Sequence, residues 1–354
     1  MASSALSLHP DGLLPPEPGT RAIARRLHTQ VAALPIVSPH GHTDPAWFAD
    51  NAPFAKATEL LLVPDHYVFR MLYSQGVDLD ALGIPRADGS RAAVDPRAAW
   101  RMFAERFHLL RGMPSALWLN HVFHEVFGLR VQLDAASADL SAAAAARLFA
   151  RVRDGGASAE DAELFRAQML TEMAAMSVDD GLVMQLHPGC YCYCYRNHNR
   201  ALFARYGRDK GADLPLRTGY VHALKLLLDR FGNTPGFTLI LFTLDESTYA
   251  RELAPLAGHY PALLLGPAWW FHDAPEGMWR FREQTLASAC FYNTVGFNDD
   301  TRALLSIPAR HDVARRVDCA FLAKLVAEHR LDEEEAAEVA IDLAYRLPKR
   351  AYRL

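Results

Sequence analysis

Two histidines one residue apart, His40 and His42, follow the apolar run Pro35-Ile36-Val37 and are the residues most able to do chemistry together. Side chains alternate faces along an extended backbone, so both imidazoles are expected to point the same way. Pro39 cannot donate a ladder hydrogen bond, so pairing of a first strand should stop just before His40 and release both rings at the strand's C-terminal end. Two imidazoles on one face offer two nitrogens to one divalent ion, and zinc, manganese and iron all accept such ligands. A lone His-x-His fits two loop histidines equally well. Its position directly after a strand, and the acidic and histidine groups further along, favour a metal.

Other elements must hold that pair in place. Residues 1–18 are rich in Pro, Gly and Ser and read as an irregular arm. Thr20 is positioned to cap a helix with Ile23, Leu27, Val31 and Leu34 at helical spacing, which Pro35 closes. From Pro45 to about Leu129 the pattern is helical throughout. Asp95 and Pro96 read as N-cap and first helical residue ahead of Trp100, Phe103 and Phe107, and Leu119, Val122, Phe123, Val126 and Phe127 fall on one side of a later helix. Residues 139–177 read as helical again, with Asp139 as a cap and Ser158 with Asp161 as a capping box. They precede a stripe of Phe165, Met169, Met173 and Met176 expected in the core.

After residue 180 apolar runs alternate with amphipathic helices. Candidate strands are Leu182 to Leu186, Phe237 to Leu244, Pro261 to Leu265 and Tyr292 to Phe297. Continuous apolar runs separated by helices indicate a parallel sheet buried on both faces. Polar groups gather after these strands: His187, then Asp245 and Glu246, then Trp269, Trp270 and His272, then Asp299, Asp300 and Arg302. Asp299, Asp245 and Glu246 read as loop or cap groups. Helices near 308–329 and 332–345 are expected outside the sheet, the second opening on the acidic turn Asp332 to Glu335.

Composition narrows the function classes. A chain of 354 residues with 51% apolar and 22% charged residues has an ordinary globular balance. A net charge of -4 gives no sign of a nucleic-acid surface. No apolar run approaches the roughly 20 residues of a membrane span, and the start lacks a basic n-region, so a soluble, cytoplasmic protein is expected. Five cysteines, three of them crowded at Cys190, Cys192 and Cys194, do not resemble a disulfide framework.

A His-x-His after a first strand, a His after a middle strand and an Asp after a last one form the skeleton of a metal-dependent barrel enzyme. The motifs go further. The stretch from Leu34 to Pro45, Asp65-His-Tyr-Val-Phe-Arg70, Val183 to Gly189 followed by Arg196-Asn-His-Asn199, Trp269-Trp-Phe-His-Asp273, and Gly296 to Arg302 with Arg310-His311 together resemble uronate (glucuronate) isomerase, of the amidohydrolase superfamily.

The resemblance implies a TIM-type (β/α)8 barrel with a helical subdomain inserted after strand 1. It also implies isomerisation of D-glucuronate to D-fructuronate and of D-galacturonate to D-tagaturonate. By the match, His40, His42 and Asp300 hold a divalent metal, zinc first among the candidates. His187 faces the substrate, His66 and Tyr67 lie near the sugar carboxylate, Trp269 and Trp270 sit in the substrate-lining segment with the choice of pocket-lining indole left open by the sequence, and Arg302 lies beside the reacting carbons. Moving a proton from C2 to C1 through an enediol needs a base within about 3 Å and positive charge near the developing oxyanion. Asp300 is the candidate base, with the metal and Arg302 as stabilisers.

The chain also departs from that pattern. A closed barrel needs eight strands, and only five are legible, one near residue 36 and four after residue 180. Between Gly128 and Leu182 the family carries several more strands and an Arg-Pro segment absent here. Cys190 to Tyr195 is an insertion near the mouth. The chain divides into an arm, helix and first strand (1–44), a helical subdomain (45–130) and the remaining strands with C-terminal helices (131–354). The expected partner is a small-molecule hexuronate, and the sequence leaves open whether the chain forms a homo-oligomer. Two competitors stand: a metal-dependent hydrolase, because the same ligands activate water, and an inactive truncated or engineered scaffold.

Overall fold

A computed structural model describes residues 5–51, 54, 56–129, 159–188, 200–207, 217–269 and 272–354. At its centre lie three parallel strands in the order β1 (Met184–Leu186), β2 (Leu239–Leu241) and β3 (Leu263–Leu265). One parallel bridge from Leu265 to Thr294 continues the sheet. The sequence places these strands because apolar residues occupy both faces. Leu239 and Leu241 enter one core with Leu263, Leu265 and the helix Lys225–Phe231. Ile240 enters another with Phe242, Leu244, Val295 and Phe297. A strand buried on both faces is what parallel pairing under helices requires.

The helical reading of 45–129 holds: no strand occurs there among the described residues. Asp95 caps the helix Pro96–Glu105 through the N–H of Arg97, with Pro96 as its first residue. Leu62, Val68, Phe69, Phe103, Val122 and Phe123 share one core, joined by Leu202 and Tyr206. The helix Glu333–Ile341 opens on a reciprocal capping box between Asp332 and Glu335.

Several expectations need correction. The run before His40 is not a strand. Pro35 and Pro39 have no N–H to give a ladder, and the carbonyls of Ala32, Leu34 and Pro35 accept instead from the Arg315 guanidinium at 2.9, 2.8 and 3.1 Å. The Tyr292 to Phe297 run contributes a single bridge, so among the described residues the sheet is three-stranded and not a closed eight-stranded barrel. The first helix, Pro18–Val31, is capped by Glu17, whose carboxylate takes the N–H groups of Gly19 and Thr20, so Thr20 lies inside it. That helix ends before Pro35 is reached.

Met173 and Met176, expected in the core, are 47% and 58% exposed. Their helix, Ala159–Asp180, turns Ala174 and Ser177 inward, with Leu170 and Val178 on the same face. Val126 and Phe127 are also exposed, because the segment Val122–Val126 is π-helical and rotates them off the face that Leu119 and Phe123 share. The helix Ile307–Ala327 flanks the sheet, with one face in the core that Ile240 and Phe242 enter and another in the core under the first helix. Asp139, the side chains of Ser158, Asp161, Phe165 and Met169, the run Cys190 to Tyr195, Arg196 to Asn199, and Trp270 lie outside the described residues.

Candidate metal centre

The segment carrying His40 and His42 runs beside the turn at Asp299 to Thr301. His42 donates its N–H to the Thr301 carbonyl at 2.9 Å, Thr43 Oγ1 donates to the same oxygen at 3.2 Å, and the Asp299 N–H reaches Ser38 Oγ at 3.1 Å. With the backbone extended, alternate side chains share a face, and both imidazoles meet Asp300. Its Oδ1 lies 3.1 Å from His40 Nε2 and 3.0 Å from His42 Nε2.

Asp300 adopts φ +46°, in the left-handed region that non-glycine residues seldom enter and that Asp and Asn tolerate best. The cap-like role in this turn belongs to its neighbour: Asp299 Oδ1 accepts the Thr301 N–H at 3.1 Å. Asp300 is thereby left to aim inward.

The three ligand atoms lie within 4.8 Å of one another. Ligands at about 2.0–2.2 Å from a shared ion are themselves about 3–4 Å apart, so the set fits one metal. His40 Nε2 and Asp300 Oδ1 are buried and make no hydrogen bond of good geometry, although buried polar atoms are ordinarily satisfied. An ion coordinated by both would satisfy them. Burial pushes the Asp300 carboxyl up, but His40 and His42 outweigh it and hold it well below the usual carboxylate range.

Around this triad stands an aromatic wall. His187, just past the end of β1, stacks on His40 with centroids 4.3 Å apart and on Phe242 at 3.8 Å, and meets the buried Trp269 edge-on at 5.1 Å. Burial, with the nearby His40, brings its pKa down to about 3. The imidazole is therefore neutral at ordinary pH.

His66 and Tyr67 open the helix His66–Ser74, whose cap Asp65 accepts the Tyr67 N–H at 2.9 Å. Their rings stack at 5.0 Å and both side chains are buried. Burial, then the charges of Arg302, Arg310 and Arg70, keeps His66 well below the usual histidine value. Burial, then Asp273, raises the Tyr67 phenol well above its own. Arg302 is half-buried and close enough for its charge to act on His66. Among the described residues, direct contacts thus join His40, His42, Asp300, His187 and Trp269. His66 and Tyr67 form a second pair.

Sequence reasoning gave Arg310, Asp273 and Phe242 no role. Arg310 is fully buried: its Nη1 donates to Asp273 Oδ2 at 2.8 Å and to the Asp299 carbonyl at 3.2 Å, and its guanidinium lies 3.5 Å from the Trp118 ring centroid and 4.7 Å from that of Tyr67. The available signal was that Asp273 and Arg310 stand inside the motifs that carry the family resemblance. His272 turns aside to the Leu244 carbonyl, and Glu246 pairs with Arg280. Asp245 caps the turn at Glu246–Thr248, the loop role expected for it.

Three parallel strands under helices, with His187 just past β1 and Trp269 beside it where His40, His42 and Asp300 converge, define an α/β protein that offers one ion three ligand atoms. The family description glucuronate isomerase matches residues 19–146 and 138–352 of the chain. The uronate isomerase of Xanthomonas axonopodis pv. citri is 60% identical over 476 aligned positions, covering 100% of each chain, and that of Rhizorhabdus wittichii is 51% identical with the same coverage. The crystal structure of glucuronate isomerase from Caulobacter crescentus superposes with a TM-score of 0.92 at 48% identity, covering 99% of this chain and 98% of that one. The uronate isomerase of Thermotoga maritima shares the fold, with a TM-score of 0.83 at 18% identity, covering 98% and 99%. This chain belongs to the glucuronate isomerase family. Alignments of 476 positions against 354 residues mean that the relatives carry positions this chain lacks, and the two matched stretches meet at 138–146, inside the interval where the motifs indicate a missing segment.

Proposed function

We propose that the chain interconverts aldose and ketose hexuronates, D-glucuronate with D-fructuronate and D-galacturonate with D-tagaturonate, at a centre where His40, His42 and Asp300 hold a divalent ion, zinc by ligand type. The observation that carries this is the convergence of three ligand atoms from opposite ends of the chain in a member of this family. When bound, the ion supplies positive charge that favours the oxyanion of an enediol. The barrel of the amidohydrolase type, with 45–130 as its inserted helical subdomain, is the architecture proposed with it.

The chain's own residues divide the rest of the work. Asp300, held ionised at the centre, is able to take the C2 proton and return it to C1. A carboxylate so stabilised is a weak base, and the transfer therefore depends on placement within about 3 Å and on Arg302 offsetting the developing charge. Neutral His66 and the protonated Tyr67 phenol donate hydrogen bonds to the sugar carboxylate without requiring a buried cation at either position. Neutral His187 faces the substrate, with the Trp269 indole beside it at the pocket wall.

The test is direct. Zinc-replete protein incubated with D-glucuronate or D-galacturonate should form ketose, and Asp300→Asn should abolish it. No turnover from folded, zinc-loaded protein would overturn the isomerase reading, and hydrolysis of an ester or amide in its place would install the hydrolase.

A further inference from the structure

One helix touches both segments that carry the centre, and it does so through two arginines. Arg315 of the helix Ile307–Ala327 holds the carbonyls of Ala32, Leu34 and Pro35, where the chain leaves the first helix on its way to His40. Arg310, on the same helix, holds the Asp299 carbonyl and is itself anchored by Asp273. Asp299 is the hub of the other segment: its N–H meets Ser38, its Oδ1 takes the Thr301 N–H, and its Oδ2 lies 3.5 Å from His311 Nε2. The next residue is Asp300, in its left-handed conformation. Neither segment is in a sheet ladder, so their spacing is not fixed by strand pairing.

We propose that Arg310 and Arg315 are positioning residues, which use one rigid helix to set the distance between the His40–His42 segment and the Asp300 turn. The inference rests on the metal reading above. An arginine fork holds two oxygens in a fixed plane, whereas lysine keeps the charge and reaches one. Loosening either grip lets the ligand atoms drift apart, and outer contacts of this kind are worth about 10–100-fold in metal affinity.

The experiment measures zinc affinity by competition with a chromogenic chelator, at a temperature where far-ultraviolet circular dichroism shows each protein folded. Arg310→Lys and Arg315→Lys should each weaken zinc binding by about 10–100-fold. Arg282→Lys is the control. Its fork on Asp318 of the same helix, at 2.7 and 3.0 Å, has an arginine as buried as Arg315, so a merely structural loss lowers its melting temperature too, with zinc affinity unchanged. Should Arg310→Lys fail to fold, Asp273→Asn keeps the arginine and loosens its anchor, and a several-fold loss is expected there.

Wild-type affinity in the folded Arg310→Lys and Arg315→Lys proteins, or in Asp273→Asn where it replaces the former, would overturn the proposal. So would an equal loss in Arg282→Lys. If wild-type protein binds zinc and His40→Ala does not, the metal reading stands and only the positioning role is refuted by those results. A wild-type protein that binds no zinc overturns both.

Discussion

Removing the metal should lower the melting temperature by an amount that the architecture allows to be worked out. His40 and His42 lie near one end of the chain and Asp300 towards the other, so the three-ligand site exists only when the chain is folded. An ion that binds the folded state alone, at a hundred times its dissociation constant, stabilises by about 2.7 kcal/mol. At about 2.1 cal/mol/K per residue, unfolding 354 residues carries an entropy near 0.7 kcal/mol/K, which makes the shift about 4 °C. Each further tenfold in free zinc should add about 2 °C. Scanning calorimetry of chelator-stripped and zinc-titrated protein reads both quantities. Asp300→Asn and His40→Ala should lose the shift, whereas His259→Ala, an exposed histidine elsewhere, should keep it. A shift of equal size in Asp300→Asn would refute the assignment of that carboxylate, and no shift at saturating zinc would refute the centre.

Other perturbations probe the frame around the site. His66 is kept neutral in the folded state well below the ordinary value of 6.5, so as pH falls through that value the unfolded chain gains a proton that the folded chain refuses. Stability should then drop by at most about 1.4 kcal/mol per pH unit, and urea melts at about pH 7.5 and about pH 5.5 should show a shallower drop in His66→Gln; equal slopes would count against burial as the cause. Leu27 is fully buried between the first helix and the Ile307–Ala327 helix. Leu27→Ala should cost about 2–5 kcal/mol in urea unfolding while leaving the Michaelis constant of the folded enzyme in place. Asp332→Ala removes half of a reciprocal capping box and should cost about 0.5–2 kcal/mol, read in the same melts.

Some of the fold was written locally. Asp95 ahead of Pro96, and Asp332 three residues before Glu335, start helices because the groups that satisfy the free N–H donors are adjacent in sequence. The buried strands were visible as Leu-Ile-Leu and Leu-Leu-Leu because parallel strands bury both faces. Other elements were decided at a distance. The run before His40 reads as a strand by its apolar residues, yet Arg315, some 280 residues away in sequence, takes its carbonyls. The Met173 and Met176 stripe has helical spacing, but spacing alone does not say which face meets the protein, and small Ala174 and Ser177 allow the closer approach.

By itself the sequence determined which groups are available and how they alternate. A period of two puts His40 and His42 on one face wherever the backbone is extended, and the ordered motifs were enough to name the family. The family motif had already set Asp300 apart from the adjacent Asp299, but only the tertiary structure showed how it meets those imidazoles: a left-handed turn held by Ser38, Thr301 and Arg310 sets which carboxylate points inward. It alone showed that Arg310 is buried against Asp273, Tyr67 and Trp118. Contacts of this kind join residues far apart in the chain, and their energies depend on burial and distance, neither of which is a property of any local stretch.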